Sequence, residues 1–531
     1  HDALPIYKMK NFYSLLISLC VTLTASAQTD FYKQFDDPGI TGSIFFTCTP
    51  APTGYVFAGS SSSLTFDSHF LIARTTTAGV VQQIVTYPVA GYNRISGVIP
   101  TIDGKFAYAA ELIDASSFTG QLVLFKSDLV GNISWIKSFS ASGYSFNSRS
   151  VCQDASGNYY MVGTASNTAT FINKVCVIKA DASGNIVDQK LISLGSSFSA
   201  LDIISTSGNS IMICGYADNG TSIETAALVK LDLNLNLIWS KWLSDPALGY
   251  FVYDMKERQN GNLVLCGRYI NNIDPYAVML VEMDNSGNIL WSKKYSGNQL
   301  QAEQAYSLSI LPDGSILAAG EANQNVSGGQ THVIALNADG STGNLNWSKI
   351  IISNNTYETL YEMQLTSAGD VITAGSRNGY AAMIKTNSQF DMCADITYPM
   401  SESAIIPVIN PQQATTSALT LTASTPSLGI ATFTTLSDAC LGVGVNEHNN
   451  EASITLFPVP AQNEVTISFP SGEEYTFQGV TDLSGRSVNV NVSKVANGLL
   501  QLQTGNLNSG IYFVDLLQNQ IPVKKKFMIA K

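Results

Sequence analysis

The chain has 531 residues, of which 45% are hydrophobic and only 13% are charged. Its 28 basic and 40 acidic side chains give a formal net charge of −12, so it lacks the basic excess of a nucleic-acid-binding protein. The 23 phenylalanines, 23 tyrosines and five tryptophans exclude a disordered chain. This length corresponds to roughly two to four domains of about 150 residues.

The first segment in chain order has the features of an export signal. A charged start at Met9 and Lys10 precedes an apolar run over 12–24, and small residues follow at 25–27. We predict a signal peptide over 9–27 that is cleaved between Ala27 and Gln28, with 1–8 as a non-native or upstream leader. No later run reaches the roughly 18 apolar residues of a membrane helix. We therefore expect no transmembrane segment and, after passage through the periplasm, a secreted or outer-surface location.

Seven copies of a repeat of about 52 residues follow this segment. In each copy a glycine turn leads into an apolar strand that ends in small residues, as in Gly157–Gly163 and Gly314–Gly320. The seven turns lie at Gly54, Gly104, Gly157, Gly208, Gly261, Gly314 and Gly369. Such regular spacing is typical of a fold built from one repeated unit of structure.

A second landmark in the repeat is a turn around Asp and Gly-Asn, followed by an aromatic residue and a lysine. In the second copy it runs from Lys126 to Lys137. Four of the five tryptophans fall on the aromatic position: Trp135, Trp239, Trp291 and Trp347. We predict that these side chains pack between neighbouring repeats.

Each copy contains four short predicted strands and no helical periodicity. A four-stranded antiparallel sheet cannot cover both of its faces, and radial stacking of seven such sheets into a closed ring leaves few exposed edges. The sequence therefore predicts an all-β fold, a seven-bladed β-propeller over 28–390 with four-stranded blades. The seventh copy lacks its fourth strand, and Phe31–Phe35 matches the missing pattern. We predict that this N-terminal strand closes the ring.

The segment 391–451 is rich in threonine, serine and alanine and is predicted to be a strand-containing connector and linker. Its alternating stretches indicate a few strands packed against the propeller, and a flexible end near 442–450 would suit a processing protease. Cys393 and Cys440 bracket the segment and are a possible disulfide. No paired cysteines or clustered histidines accompany them, so a metal site is not expected there.

The last part of the chain carries four landmarks in order. They are Phe457-Pro458-Val459-Pro460, Gly485-Arg486, Gly510-Ile511-Tyr512 and Lys524–Phe527. This pattern resembles the type A C-terminal sorting domain of the type IX secretion system of Bacteroidetes, and the repeats resemble those of secreted bacterial seven-bladed propellers. The alternative is a small immunoglobulin-like tail domain.

The resemblance to sorting domains implies a small β-sandwich over 452–531 that directs export. It also implies the type IX secretion machinery and its sortase as partners. The residues that carry the sorting signal by this resemblance are Pro458, Pro460, Gly485, Gly510 and Lys525.

One face of the ring is predicted to carry any binding site. The loops after the second and fourth strands of every blade share a face and are long and polar, whereas the other loops are tight turns. Our candidate ligand-binding residues on this face are Asp67, Asp114, Tyr216, Asp218, Tyr269, Asp274, Tyr276 and Arg377. The alternative interpretation is that they are ordinary solvated loop residues.

No catalytic constellation is present in the sequence, because phosphate-binding loops, nucleophile elbows and paired histidines are all missing. We expect no cofactor, and calcium has no support because the Asp-rich turns lack further acidic ligands. A non-enzymatic binding or scaffold protein with a glycan or surface-protein ligand is the first hypothesis. The second is a hydrolase, lyase or quinoprotein-like enzyme acting on polysaccharide or alcohol. Convergent carboxylates with shifted pKa values in the channel mouth would favour the enzyme.

Overall fold

The computed structural model describes most of the chain from residue 30 to residue 530. The described ranges are 30–35, 40–63, 67–218, 220, 224–244, 249–270, 276–297, 301–324, 331–351, 358–391, 395–397, 400–405, 407–424, 426, 431–433, 437–438, 454–458, 461–469, 475–482, 486–496, 499–518 and 521–530. In these ranges no helix is long and apolar enough to span a membrane. The chain forms two compact units, 1–439 and 440–531.

The first unit consists of antiparallel strands that follow one another along the chain in groups of four. The closing strand is β1 (Phe31–Gln34). The first three blades are β2 (Ile40–Ala51), β3 (Gly54–Ser63), β4 (Ser68–Thr75) and β5 (Val81–Tyr87); β6 (Arg94–Pro100), β7 (Phe106–Ile113), β8 (Gly120–Ser127) and β9 (Ile133–Ser140); and β10 (Tyr144–Gln153), β11 (Tyr159–Asn167), β12 (Asn173–Ala180) and β13 (Ile186–Ser193).

The remaining four blades follow the same order. They are β14 (Ser197–Thr206), β15 (Ser210–Asp218), β16 (Glu224–Asp232) and β17 (Leu237–Ser244); β18 (Gly249–Glu257), β19 (Leu263–Ile270), β20 (Ala277–Met283) and β21 (Ile289–Ser296); β22 (Gln301–Ile310), β23 (Ile316–Gln324), β24 (Thr331–Ala338) and β25 (Leu345–Ile351); and β26 (Glu358–Leu365), β27 (Val371–Arg377) and β28 (Tyr380–Thr386), which β1 completes.

The blades form a closed circle around a central channel. The first strand of each blade contacts the first strand of the next, in the order β2, β6, β10, β14, β18, β22 and β26, and β26 contacts β2 again. Buried side chains fill the space between neighbouring blades, as in the cluster that includes Phe45, Phe57 and Met383. The predicted seven-bladed β-propeller is therefore confirmed.

The N-terminal strand closes this circle by pairing with the last blade. β1 lies antiparallel to β28, with Phe31 opposite Lys385 and Gln34 opposite Ala382. The Phe31 ring packs so closely on the turn of the first blade that a Cβ atom on Gly79 would lie 2.3 Å from it. One short strand thus joins the seventh blade to the first.

The repeat tryptophans pack against the third-to-fourth-strand turn of the next blade. Three of these turns have a glycine with φ between +67° and +79° beneath the indole ring, and a Cβ atom there would meet the ring within 3.2 Å. The pairs are Trp135 with Gly184, Trp239 with Gly287, and Trp291 with Gly343. Trp347 packs in the cluster that contains Phe390 of the last blade.

The connector forms an extra strand on every blade. Its strands in the described residues are β29 (Asp395–Thr397), β30 (Ser401–Ala404), β31 (Val408–Gln412), β32 (Thr415–Ala418), β33 (Thr422–Ser424), β34 (Ala431–Phe433) and β35 (Ser437–Asp438). They pair in turn with β25, β21, β17, β13, β9, β5 and β1. The segment 395–438, here called the belt, therefore runs around the ring against the chain order.

This belt differs from the expectation of a few strands packed against four-stranded blades. Each blade has the four predicted strands and a fifth from the belt. The physical reason is that the outermost strand of each blade would otherwise expose a row of unpaired backbone groups. The last belt strand also holds β1 from its second side, with Lys33 opposite Asp438 and Gln34 opposite Ser437.

The second unit is a small sandwich of two four-stranded sheets. Its strands are β36 (Thr455–Phe457), β37 (Glu464–Ser468), β38 (Tyr475–Asp482), β39 (Ser487–Val488), β40 (Asn491–Ala496), β41 (Leu499–Gln503), β42 (Gly510–Gln518) and β43 (Ile521–Ile529). Val465, Val514 and Phe527 are buried between the sheets. Gly510 begins β42, Lys525 lies opposite Val514 in β43, and Pro458 is exposed after β36.

Several predicted residues lie outside the described ranges. They are Ala27 and Gln28 of the signal cleavage site, Asp274 of the loop face, Cys393 and Cys440 of the possible disulfide, and Pro460 and Gly485 of the sorting signal. The cysteines described as free are Cys48, Cys152, Cys176, Cys214 and Cys266.

The belt should contribute to the stability of the whole ring. Leu421 is buried in the core between the second and third blades, where the belt crosses from one blade to the next. Leu421→Ala is expected to destabilise the propeller by about 2 kcal/mol, because it leaves a cavity in that core. Chemical denaturation of the full chain measures this effect.

Ser417→Ala is the matched control, because Ser417 is an exposed belt residue one strand away. It should change stability by less than about 0.5 kcal/mol. If Leu421→Ala is as neutral as this control, the belt is a passive tail and not part of the fold.

Candidate functional site

The innermost strand of every blade carries a β-bulge at the same position. The register shifts include those between Phe45 and Thr47 and between Val252 and Asp254. In six blades a glycine of the second strand lies opposite the bulge; a Cβ atom on Gly267, for example, would lie 1.8 Å from the Phe251 carbonyl oxygen. Each bulge brings two successive residues to the channel.

The two residues of each bulge form two tiers around a cavity of about 450 Å³. The upper tier consists of Phe46, Ser96, Arg149, Leu201, Tyr253, Tyr306 and Tyr361. The lower tier consists of Thr47, Gly97, Ser150, Asp202, Asp254, Ser307 and Glu362. Because each innermost strand enters from the loop after a fourth strand, the upper tier is nearer the long-loop face. The cavity lining continues from the two tiers toward the tight-turn face, as far as Ile102, Gln153 and Lys256.

Aromatic side chains extend around most of the channel mouth. Ring centroids are 5.2 Å apart for Phe46 and Tyr361, 5.9 Å for Tyr361 and Tyr306, and 4.9 Å for Tyr306 and Tyr253. Phe251 continues the series at 6.3 Å from Tyr253, and Tyr216 follows at 5.2 Å. These six residues, the aromatic arc, come from five of the seven blades.

Two arginines pack against the aromatic arc, one on Phe251 and one on Phe46. The Arg268 guanidinium carbon lies 3.9 Å from the Phe251 ring centroid and 4.8 Å from that of Tyr276. Arg94 lies 5.5 Å from the Phe46 ring centroid and forms an ion pair of 2.8 Å with Glu111. Such cation–π contacts stabilise both partners, more so when they are shielded from water.

Arg149 occupies the part of the upper tier that the aromatic arc leaves open. Its Nε is buried and has no hydrogen-bond partner among the described residues. Burial, and then the nearby charge of Arg94, lower the pKa of Arg149 from its ordinary value. A guanidinium group without a carboxylate partner in the described structure therefore faces the cavity.

A hydrogen-bond network holds Tyr306 in place. The Gln304 amide donates to the Tyr306 hydroxyl at 2.7 Å and to Glu321 at 2.7 Å. The Tyr306 hydroxyl donates to the same Glu321 oxygen at 2.9 Å, and Thr359 donates to the other at 3.0 Å. Burial, followed by the charge of Glu321, raises the pKa of Tyr306. The tyrosine is therefore a fixed, neutral hydroxyl.

The lower tier mainly joins neighbouring blades. Its side-chain oxygens accept hydrogen bonds from backbone amides of the adjacent innermost strand at four of the seven junctions. The pairs are Thr47 with Val98 at 3.0 Å, Asp254 with Leu308 at 2.9 Å, Ser307 with Met363 at 3.1 Å and Glu362 with Cys48 at 3.4 Å. These polar groups therefore have a structural role around the channel.

Asp202 is the lower-tier carboxyl that is least engaged by neighbours. Its Oδ2 is buried without a hydrogen-bond partner among the described residues. Burial, followed by the charge of Asp254, raises the pKa of Asp202 to about 7, although Lys256 opposes the shift. Burial also raises the pKa of Glu362. Carboxyls with raised pKa values thus do converge in the channel, but Asp202 alone among the lower-tier acids offers an unpartnered oxygen.

Two of the predicted loop-face residues belong to the channel mouth. Tyr216 is in the aromatic arc, and Tyr276 packs on Arg268. Tyr269 instead is buried against Tyr250 at a centroid distance of 5.5 Å, between blades. Arg377 forms an ion pair of 3.0 Å with Glu358.

The predicted aspartates among the described residues hold loops in place. Asp67 accepts a hydrogen bond from the Gly91 amide at 2.9 Å, and Asp218 accepts one from the Gly220 amide at 2.8 Å. Asp114 accepts bonds from the amides and hydroxyls of two serines in its own loop, and these bonds lower its pKa. Across the described part of the chain, no group of three or more acidic, histidine or cysteine side chains could hold a metal ion.

The upper-tier residues lie on the innermost strands, so the prediction of a site on the polar loops did not include them. A signal for them exists: in six of the seven copies the upper-tier residue lies eight positions before the repeat glycine, as Tyr253 does before Gly261. In the fourth copy Leu201 lies seven positions before Gly208. Comparing this position across copies would have revealed the aromatic residues and Arg149.

Residues 455–530 match the family model described as "Secretion system C-terminal sorting domain". This match agrees with the sandwich of the second unit and with the four landmarks read from the sequence. The protein is therefore exported to the cell surface or secreted. The search of the curated proteins found no match.

The chain is similar to several solved structures, all at low identity. A Dyadobacter fermentans protein of unknown function has 11% identity over 55% of this chain and 94% of its own, with a TM-score of 0.39. An α-L-arabinanase of Penicillium chrysogenum, complexed with arabinobiose, has 9% identity over 56% and 93%, also with a TM-score of 0.39. Sqt1 of Chaetomium thermophilum has 12% identity over 68% and 98%, with a TM-score of 0.37.

The raised pKa of Asp202 predicts a pH-dependent stability. In the unfolded chain an aspartate loses its proton near pH 3.9, whereas in the fold Asp202 keeps it until about pH 7. Between these values the unfolded state releases a proton that the folded state retains. This group therefore lowers stability as the pH rises, by at most about 1.4 kcal/mol per pH unit.

Asp202→Asn should remove that dependence. Relative to the natural protein, the variant should gain melting temperature between about pH 4.5 and about pH 8. Thermal melts of both proteins across this range provide the measurement. A difference in melting temperature that stays constant with pH would show that Asp202 titrates normally.

Proposed function

We propose that this exported propeller is a non-enzymatic glycan-binding protein and that its site is the central channel at the level of the upper tier. The aromatic arc is the observation that carries the proposal. Phe46, Tyr253, Tyr306 and Tyr361 come from four separate blades and line one cavity, and sugar rings bind through their C–H faces to such aromatic surfaces. A cavity of about 450 Å³ is within the usual size range of small-ligand sites.

The polar groups of the mouth fit the same ligand class. Hydroxyls of Tyr253, Tyr306 and Tyr361 lie among the rings, and guanidinium groups flank them. Sugar hydroxyls need both donors and acceptors close to an apolar face. Tyr253 and Tyr306 already donate to Gln304 and Glu321, so Arg149 and the Asp202 Oδ2 atom are the unpartnered donor and acceptor for a sugar. A peptide bound by strand addition would instead pair with an exposed sheet edge. In the described residues the outer edge of each blade is a belt strand of two to five residues, which offers little length for such pairing.

The proposed route of export is the type IX secretion system of a Bacteroidetes cell. The family match supports a secretion sorting domain, and the sequence landmarks resemble the type A domains that this machinery and its sortase recognise. Removal of the second unit after the belt would leave the ring whole, because the last described belt strand ends at Asp438.

A glycan array probed with the full-length protein tests the binding function, followed by calorimetry on the glycans that bind. Tyr361→Ala should weaken binding at least tenfold, about 1.4 kcal/mol, because it removes the ring between Phe46 and Tyr306. Phe171→Ala is the control: Phe171 is 81% exposed and lies outside the cavity lining, so its loss should change affinity less than twofold. Absence of any glycan ligand, or equal loss in both variants, would refute the proposal.

The raised pKa of Asp202 supports a second candidate function, that of an enzyme acting on polysaccharide. A carboxyl with a pKa of about 7 can give or take a proton near neutrality. The hydrogen bonds that occupy Asp254 and Glu362 leave no second free carboxylate in the lower tier, so binding remains the first candidate. Cleavage of an array-positive glycan by the natural protein, lost in Asp202→Asn, would reverse this order.

A further inference from the structure

The channel mouth differs in chemistry between its aromatic and non-aromatic parts. The aromatic arc covers five blades, and the second and third blades contribute Ser96 and Arg149 to the upper tier instead. We propose that the mouth selects saccharides that carry an anionic group, a carboxylate or a sulfate, and that Arg149 forms the ion pair with it. This inference rests on the proposed glycan-binding function.

The charges around the mouth leave Arg149 as the available cation. Glu111 is engaged by Arg94 at 2.8 Å and by the Ser148 amide at 2.8 Å. Glu321 accepts hydrogen bonds from three neutral donors. Arg268 is packed between aromatic rings. Arg149 has neither an ion pair nor a hydrogen bond among the described residues, in a chain whose formal net charge is −12.

An anionic ligand would supply the hydrogen-bond partner that the buried Arg149 guanidinium lacks. Arg149 Nε is shielded from solvent without a partner, and an unpaired buried donor destabilises the fold. The guanidinium group presents its N–H donors in a planar fork that matches the two oxygens of a carboxylate or the oxygens of a sulfate. The aromatic arc beside it would hold the sugar ring that bears the anion.

The lower tier limits how deep the anion can go. Asp202, Asp254 and Glu362 lie one position further along their strands, and Lys256, which pairs with Asp254 at 2.6 Å, is the cation beside them. Acidic groups outnumber basic ones at this level, so an anion is repelled there. A charged saccharide should therefore lie against the upper tier rather than thread through the channel.

Paired probes test the charge preference directly in the full-length protein. Trigalacturonate and its neutral methyl ester form the carboxylate pair; a sulfated galactan oligosaccharide and its desulfated form are the sulfate pair. The natural protein should bind at least one charged member at least tenfold more tightly than its neutral partner. This preference should shrink as salt is added, because screening weakens the ion pair.

Substitutions then identify the group responsible. Arg149→Gln should abolish the preference while keeping affinity for the neutral probe, and Arg149→Lys should keep part of it. Lys105→Gln, which removes one positive charge at a partly exposed site near Ser134 and outside the cavity lining, is the matched control and should leave the preference unchanged. Thermal melts of each variant confirm folding, and Arg149→Lys keeps the test usable if Arg149→Gln does not fold.

The outcomes separate this inference from the proposed function. Equal binding of charged and neutral probes by the natural protein would overturn the anion inference while glycan binding stands. A preference that survives in Arg149→Gln would overturn the role of Arg149. Failure of all four probes, together with an empty glycan array, would instead refute the glycan-binding function itself.

Discussion

The pairing of the N-terminal strand with the last blade is the contact on which the rest of the molecule depends. Seven sheets can bury their faces against one another only if the circle is complete, since an open ring would expose two blade faces to water. The four residues of β1 close the circle by pairing with the last blade, and the Phe31 ring packs on the β4–β5 turn of the first blade. Because β1 also receives the last belt strand, it is held between two neighbours.

Closure also creates the candidate site. The bulges of the innermost strands bring one residue from each blade to the same level of the channel, so seven separate sequence positions become one surface. Side chains of the lower tier form hydrogen bonds between neighbouring blades, so the upper tier is the part of the channel that can bind a ligand. This division explains why acidic groups in the channel need not be catalytic, and why the aromatic and guanidinium groups are the better guide to function.

The sequence patterns predict the ring but not the belt strand that is added to every blade. The spacing of repeat glycines such as Gly157 and Gly314 predicts blades, and the aromatic pattern at Phe31 predicts closure, because both reflect packing between blades. Alternating stretches predict some strands of the connector, but belt strands of two to five residues are too short to indicate which sheet each one joins, and Thr415–Ala418 is exposed along its whole length. The site was only partly predictable from the sequence. Tyr216 and Tyr276 were predicted because they lie on the long-loop face. Tyr253 and Arg149 reach the channel through β-bulges, which the sequence of a single strand does not indicate.

Hydrogen exchange of the closing strand tests the central claim most directly. A chain terminus normally exchanges its amides quickly because it frays. If β1 closes the ring, the protected amides of 31–35 should exchange only through global unfolding, as slowly as those of the innermost strand β18. Rapid exchange at 31–35, with β18 still protected, would show that the blades hold together without this strand and would contradict the account.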